Sequence, residues 1–431
     1  MNENEKSYEY DVIIVGASVA GNTAAILFAR EGLRVALIER NHDLEAFKKA
    51  CTHFIQPFAL PVLKRLGIVA ELEAVGAVPN GGYAWTRYGW TGSGVNPKAH
   101  GYNLRRERFD PILRRKALET PGVDLFLGTA VRELILERGR FVGLRANGPD
   151  HQTMTFRGKL VVGADGRYSR TAHLAEIDTR SYENDRFMYY AYYQNMTLKS
   201  GQATQVWYLG EDAAYAMPND NGYTLLAVMP AKTKLDAFKK DIEGHFNQIF
   251  QHLPDGPDLQ TAQRASEFMG MLNLPILVRQ PTLLGLALVG DAALAPDPLW
   301  GNGMGWALQG ATWLVGKTAQ ALRSGDQTAV DAALAAYQAK HYQTLGGRII
   351  REVDFAQARP FNWLERLFYE AAVHDKRFEK YTGPHSARLA NRDQWPPRHI
   401  IWQAMKVNAA ARLHLPGRRP ADATWQPALA D

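Results

Sequence analysis

Three short stretches hold residues whose types and spacing could do chemistry. The first is GASVAG, with Gly16, Ala17, Ser18 and Gly21, set between the apolar run YDVIIVG and the Ala-rich NTAAILFAREG. A turn of small residues joining a buried strand to a helix brings backbone N–H groups and the positive helix end to a phosphate. Gly16 permits the sharp turn off the strand and Gly21 the close packing of the helix, while Ser18 stands where such fingerprints carry their middle glycine. Glu39 ends the next run, RVALIE, and is followed by Arg40; an acid there accepts hydrogen bonds from a ribose. The second stretch, GADGRYSR, carries Asp165. The third, VGDAALAPDPLWGNGMG, carries Asp291 ahead of a loop holding Pro298, Gly301, Gly303 and Met304. No zinc-ligand spacing, P-loop or nucleophile elbow occurs, so no metal is expected.

These residues need a scaffold, and the chain supplies a recognisable one. Strand, turn, helix, strand and acid come in the order of a dinucleotide-binding βαβ unit. From Asn41 to Val75 the pattern turns helical, and Gly81 to Tyr102 reads as strands and loops. Arg105 to Glu119 is an amphipathic helix whose basic cluster, Arg105, Arg106, Arg108, Arg114, Arg115 and Lys116, reads as a partly solvated face. VDLFLGTAVREL, RFVGLRA and KLVVGADG follow as strands. Residues 181–282 change to short aromatic strands, MYYAYYQNM, TQVWYLG and YTLLAVMP, which suggest an inserted antiparallel sheet. In the run Tyr189, Tyr190, Tyr192, Tyr193 the side chains must alternate between its two faces. A helix then starts near Gly303, and beyond Val330 the chain is mostly helical, with a polar, proline-containing tail from Pro416.

The chain of 431 residues is 46% hydrophobic and 22% charged, an ordinary globular mixture that excludes a disordered or fibrous protein. A net charge of +6 with scattered basic residues gives no nucleic-acid footprint. The lone Cys51 excludes an internal disulfide and fits a reducing cytoplasm. No apolar run approaches the roughly 20 residues of a membrane span.

The three stretches in this order, with Arg106 in RRERFDPIL between the first two, resemble the group A flavoprotein monooxygenases. That para-hydroxybenzoate hydroxylase-like superfamily also takes in flavin-dependent halogenases and geranylgeranyl reductases. The resemblance covers about residues 8–180 and 283–325. It implies an α/β fold: an FAD-binding Rossmann-like three-layer domain from 1–80, 101–180 and 283–345, an antiparallel substrate sheet from 81–100 and 181–282, and a helical C-terminal region, 346–431. It places Gly16, Ser18 and Gly21 at the FAD pyrophosphate, with Glu39 at the adenosine ribose, and Arg106 against the cofactor from its helix. Val131 would approach the adenine, Asp165 the pyrophosphate and Asp291 the ribityl chain, with Pro298 to Met304 along the isoalloxazine. On the substrate side stand His53 in KACTHFIQP, Tyr215 in AYAMPNDNG and Trp300 in the glycine loop, and the segment holding Cys51 and His53 would run beside the flavin. A structural role is the plainer reading of Cys51 and His53. Leu294 stands where the family often has His, and the halogenase tryptophan pair is missing.

The implied activity is monooxygenation: reduced FAD and molecular oxygen give a flavin hydroperoxide, which delivers one oxygen atom to an aromatic or polyketide-like small molecule. Electrons would come from NAD(P)H or from a partner flavin reductase, since no second dinucleotide fold is seen. No general base stands out, so the catalytic residues are left unassigned. Three alternatives stay open: a halogenase-like enzyme using a lysine such as Lys48 or Lys49, a double-bond reductase, and a protein that keeps FAD without redox turnover.

Overall fold

The computed structural model describes residues 6–149, 152–382 and 396–413; the expected tail from Pro416 lies outside them. The first half of the chain runs β1 (Lys6–Val15), α1 (Val19–Arg30), β2 (Val35–Ile38), α2 (Leu60–Leu66), α3 (Val69–Ala74), β3 (Gly82–Thr86), β4 (Gly89–Ser93), α4 (Arg106–Leu118) and β5 (Val123–Phe126). A meander follows, β6 (Ala130–Glu137), β7 (Arg140–Asn147) and β8 (Thr153–Gly163), then the short α5 (Arg170–Leu174). Next come β9 (Met188–Gln194), β10 (Thr204–Leu209), β11 (Asp212–Pro218), β12 (Thr224–Met229), α6 (Leu235–Lys240) and α7 (Ile242–Gln251). The chain then returns through β13 (Leu286–Leu288) to α8 (Gly303–Ser324), α9 (Gln327–Ala356), α10 (Trp363–His374) and α11 (Arg398–Arg412).

Parallel pairing in the order β13-β8-β1-β2-β5 makes the central sheet. The β-branched run Val12–Val15 is buried on both faces, as a central parallel strand requires. One face packs on α1, α4 and α8 through Ile26, Phe28, Phe109 and Leu308; the other is covered by the β6–β8 meander and α5. This is an α/β fold of the FAD-binding, Rossmann-like three-layer type. The expected single strand VDLFLGTAVREL is broken at Gly128, which takes φ +63°.

The second sheet runs β9-β12-β11-β10-β3-β4. Tyr189 and Tyr193 point into the cluster beneath α6 and α7, and Tyr190 into the opposite one, as strand alternation predicts. The sheet is not antiparallel throughout. β3 pairs with β10 in parallel, Gly82 opposite Thr204 and Trp85 opposite Trp207, because a long crossover through the first sheet separates them. The expected helix from Asn41 is also corrected. Residues 41–53 form an irregular loop and the helices are confined to α2 and α3. The loop is built of side-chain turns: Asn41 accepts from the Asp43 amide (3.0 Å) and Asp43 from the Glu45 amide (2.8 Å), bonds that compete with a helix.

Candidate functional site

The turn after β1 shows why small residues stand there. Gly16 adopts φ +101°, and a Cβ on it would lie 2.6 Å from the carbonyl oxygen of Ala164. A Cβ on Gly21 would lie 1.8 Å from the Gly16 oxygen, so α1 is pressed directly onto the turn. Ser18 is the N-cap of α1, yet its side chain makes no capping bond. Its hydroxyl instead accepts from Arg106 Nη2 at 2.7 Å. The first N–H groups of α1 are thereby left to a ligand, which is how serine serves at this position.

Arg106 belongs to a buried stripe on α4. With Asp110 and Arg114 it recurs every fourth residue, and all three face one cavity. Arg106 is bound by Asp110 at 2.6 and 2.7 Å; burial alone would lower its pKa, but Asp110 prevails and raises it. Arg114 donates to the Ala17 oxygen (3.1 and 3.2 Å) and to the oxygens of Ala46 (2.9 Å) and Leu44, tying the phosphate turn to the 41–53 loop. The helix is partly solvated, as expected: Arg105, Arg106 and Arg114 are buried and turned inward, while Arg108 and Arg115 are exposed. Sequence reasoning passes over Asp110 and Arg114, although their spacing from Arg106 signals one inward face.

The cavity, about 1040 Å³, runs from Glu39, Arg40 and Val131 at one end, past Asp165 and Asp291, to Pro298, Gly301, Gly303 and Met304 at the other. Ala17 and Gly21 lie behind its wall and shape it without lining it. Glu39 is held by the amides of Ala17 and Asn41, each at 2.9 Å. Asp165 accepts from Ser169 Oγ (2.5 Å) and from the Thr171 amide (2.8 Å) and hydroxyl (3.0 Å), so it also secures the start of α5. Asp291 meets Lys48 Nζ at 3.0 Å across the cavity. Burial would raise the Asp291 carboxyl, but Lys48, Arg167 and Arg106 hold it below the usual carboxylate range.

A second, smaller cavity of about 80 Å³ adjoins the first at Phe54 and Gly301, which line both. Its walls are Tyr83 and Ala84 of β3, Val206 and Tyr208 of β10, Met217, Trp300 and Thr382. Gly301 adopts φ +61°, and a Cβ there would approach Phe54 Cδ1 to 3.1 Å. Gln56 Nε2 donates to the Trp300 oxygen at 2.9 Å, linking the partition to the glycine loop.

Of the substrate-side candidates, only Trp300 lines this chamber. Tyr215 is fully buried with its hydroxyl on the Met229 sulfur (2.5 Å), away from both cavities. His53 is likewise enclosed, at φ +62°. Its Nδ1 accepts from the Arg106 amide at 3.0 Å, so Nε2 carries the proton in its short bond with the Tyr192 hydroxyl. Burial, then Arg106 and Arg105, push His53 down to about 3, keeping it neutral. Cys51 lines the main cavity and accepts from the His53 amide at 3.3 Å. Among the described residues no cluster of His, Cys, Asp and Glu could hold a metal, and no helix is long and apolar enough to cross a membrane.

The elongated cavity fits FAD: a glycine cradle and two helix N-termini lacking side-chain caps face it, with Glu39 at one end and an apolar partition at the other. Comparison with known proteins agrees. A digeranylgeranylglycerophospholipid reductase of Methanococcoides burtonii is 26% identical over 332 residues, 74% of this chain and 76% of that one. The structure of a flavin-dependent brominase superposes with a TM-score of 0.72 at 18% identity, covering 94% of this chain and 100% of the other. A probable FAD-dependent monooxygenase from Pseudomonas aeruginosa gives 0.64 at 21% identity, covering 81% and 99%. The sequence pattern of the FAD binding domain family matches residues 9–345, and the chain belongs to that family.

Proposed function

We propose that this FAD-dependent oxidoreductase is a monooxygenase, placing one atom of molecular oxygen on an aromatic or polyketide-like small molecule. The observation that carries this reading is the second chamber. It shares Phe54 and Gly301 with the cofactor cavity and is walled by Tyr83, Tyr208, Trp300 and Met217. An aromatic ring held there would stand next to the flavin-facing loop, screened from water by apolar side chains. Bound FAD would supply the redox chemistry. The residues at the pyrophosphate would be Gly16, Ser18 and Asp165, and the ribityl contact Asp291. Glu39, Arg40 and Val131 would hold the adenosine end, and Pro298 to Met304 the ring system. NAD(P)H or a separate flavin reductase would deliver the electrons.

The halogenase reading is less well served. Among the described residues Lys48 is the one lysine lining either cavity, and its ammonium is paired with Asp291 and half exposed, outside the partition between the chambers. The reductase reading draws on the relatives named as lipid reductases. Oxygen separates the two. The purified protein, reduced under argon and mixed with ¹⁸O₂ and a panel of phenolic and polyketide-derived aromatics, should yield product carrying one labelled atom. Trp300→Ala should raise the fraction of oxygen released as hydrogen peroxide by opening the chamber. Equal product without oxygen would instead establish the reductase, and product only with chloride or bromide the halogenase.

A further inference from the structure

Helix α9 carries a buried carboxylate whose partners are the two ends of the flavin-facing loop. Glu352 accepts from the Asp297 amide at 3.2 Å and from Asn302 Nδ2 at 2.9 Å. Between those contacts lie Pro298 and Gly301, which face the main cavity, and Trp300, which faces the second chamber. Asp297 accepts from the Leu299 amide at 2.9 Å, closing the turn from within. An ionisable side chain this deeply buried calls for a reason, since it forgoes hydration.

The reason is visible at Asn302. It is the N-cap of α8, a position where an asparagine side chain ordinarily satisfies the N–H of the second or third residue. Here it makes no such bond: Glu352 takes its amide nitrogen, and its backbone is held helical (φ −84°, ψ −23°) instead of in the extended form that capping uses. The Asn302 carbonyl still receives the Trp306 amide (2.9 Å), so the helix is properly started. The N–H groups of Gly303, Met304 and Gly305 come before that first helical bond and have no partner within the helix. Gly303 and Met304 line the main cavity. At α1 the Ser18 hydroxyl accepts from Arg106 and likewise makes no cap, so two helices present uncapped N-termini to one cavity.

We propose that Glu352 is a positioning residue of the cofactor site: it fixes the 297–302 loop and withholds Asn302 from capping α8, leaving that helix's first N–H groups for FAD. The groups facing it are Asp297 and Asn302 from the loop and Arg348 from its own helix. Burial pushes its carboxyl up to about 8, the Asp297 charge adding to this and Asn302 and Arg348 opposing it. Glutamine suits the same place. Its oxygen accepts from the Asp297 amide and, with the Asn302 amide turned over, its nitrogen donates to Asn302 Oδ1, which is otherwise buried without a partner.

The test titrates FAD into apoprotein variants, following flavin fluorescence, with circular dichroism to confirm folding. Glu352→Ala releases Asn302 to cap α8, and the FAD Kd should rise at least 10-fold. Glu352→Gln should stay within about threefold of wild type. Adding Asn302→Ala to Glu352→Ala should restore part of the affinity, because nothing then caps the helix. A purely structural role would make that double variant worse. Should Glu352→Ala fail to fold, the pair Asn302→Ser and Asn302→Ala decides in its place. Serine caps the helix and cannot reach Glu352, so it should bind FAD more weakly than alanine does. Wild-type affinity in folded Glu352→Ala, no recovery in the double variant, or serine equal to alanine would each overturn the proposal.

Discussion

The main cavity and the second chamber are built on opposite principles. Around the first, position is set by backbone and buried charge: left-handed glycines, Arg106 locked to Asp110, Glu39 held by two amides, Arg114 fastened to three carbonyls. Around the second, it is set by packed rings. Tyr208 touches Trp300, Phe355, Phe361 and Tyr369 with centroids 5.7 to 6.4 Å apart, and the polar ties are few. A site for one fixed dinucleotide needs directional bonds that tolerate no drift. A chamber walled by packed rings is defined by shape, and its side-chain volume can be altered without disturbing the frame.

Substitutions should obey that contrast. The largest effect belongs to Gly16→Val, which places a branched side chain at φ +101° against the Ala164 carbonyl; the purified variant should retain no flavin after desalting. Next comes Asp291→Ala. A lost hydrogen bond to a charged group costs about 1.5–3 kcal/mol, so the FAD Kd should rise roughly 10- to 150-fold in a fluorescence titration. Asp165→Asn should weaken FAD less and lower the melting temperature instead, since that carboxylate is spent on Ser169 and Thr171. Should Asp165→Asn cost more affinity than Asp291→Ala, the assignment of the two acids is reversed.

The pH dependence of stability follows from two buried groups of opposite sign. Glu352 is raised to about 8, above its unfolded value, so its contribution is intact at acid pH and lost as pH climbs toward 8. His53 is lowered to about 3, so its contribution is intact above its unfolded value near 6.5 and lost as pH falls. Each imposes a slope of at most about 1.4 kcal/mol per pH unit. Denaturant unfolding of Glu352→Gln should show a flatter decline between pH 5 and pH 8 than the wild type. An unchanged slope would show that the carboxyl is not raised. The smallest effect is expected of Tyr215→Phe. Losing a bond to a thioether sulfur should cost within about 1 kcal/mol of stability and leave the FAD Kd unchanged.

The frame of the cofactor site is legible in the chain because its signals are local. GASVAG, the strand runs on either side and Glu39 lie in sequence order, and periodicity alone assigns them. The partners that aim those residues are not local: Arg106 reaches Ser18 from α4, and Glu352 reaches the loop from α9. Only the spacing of Arg106, Asp110 and Arg114 hints at an inward face, and the density of basic residues around it suggests solvent. The loop at 41–53 resembles a helix in sequence because its side-chain turns mimic a polar helical face. His53 and Tyr215 look available because chain position says nothing of depth; one is enclosed by Tyr192 and Arg106, the other by Met229.

The parallel pairing of β3 with β10 has a kinetic consequence. β3 and β4 leave the ribosome long before Thr204–Leu209, and in the interval the chain must build α4, the meander and β9. Closing so distant a contact is slow, and the cost falls before the reward of pairing arrives. Until then the hairpin exposes Trp85 and Trp90 and an unpaired strand edge, the kind of surface that nascent chains lose to aggregation. A truncation ending before β10 would therefore leave the β3 edge unpaired and prone to aggregate.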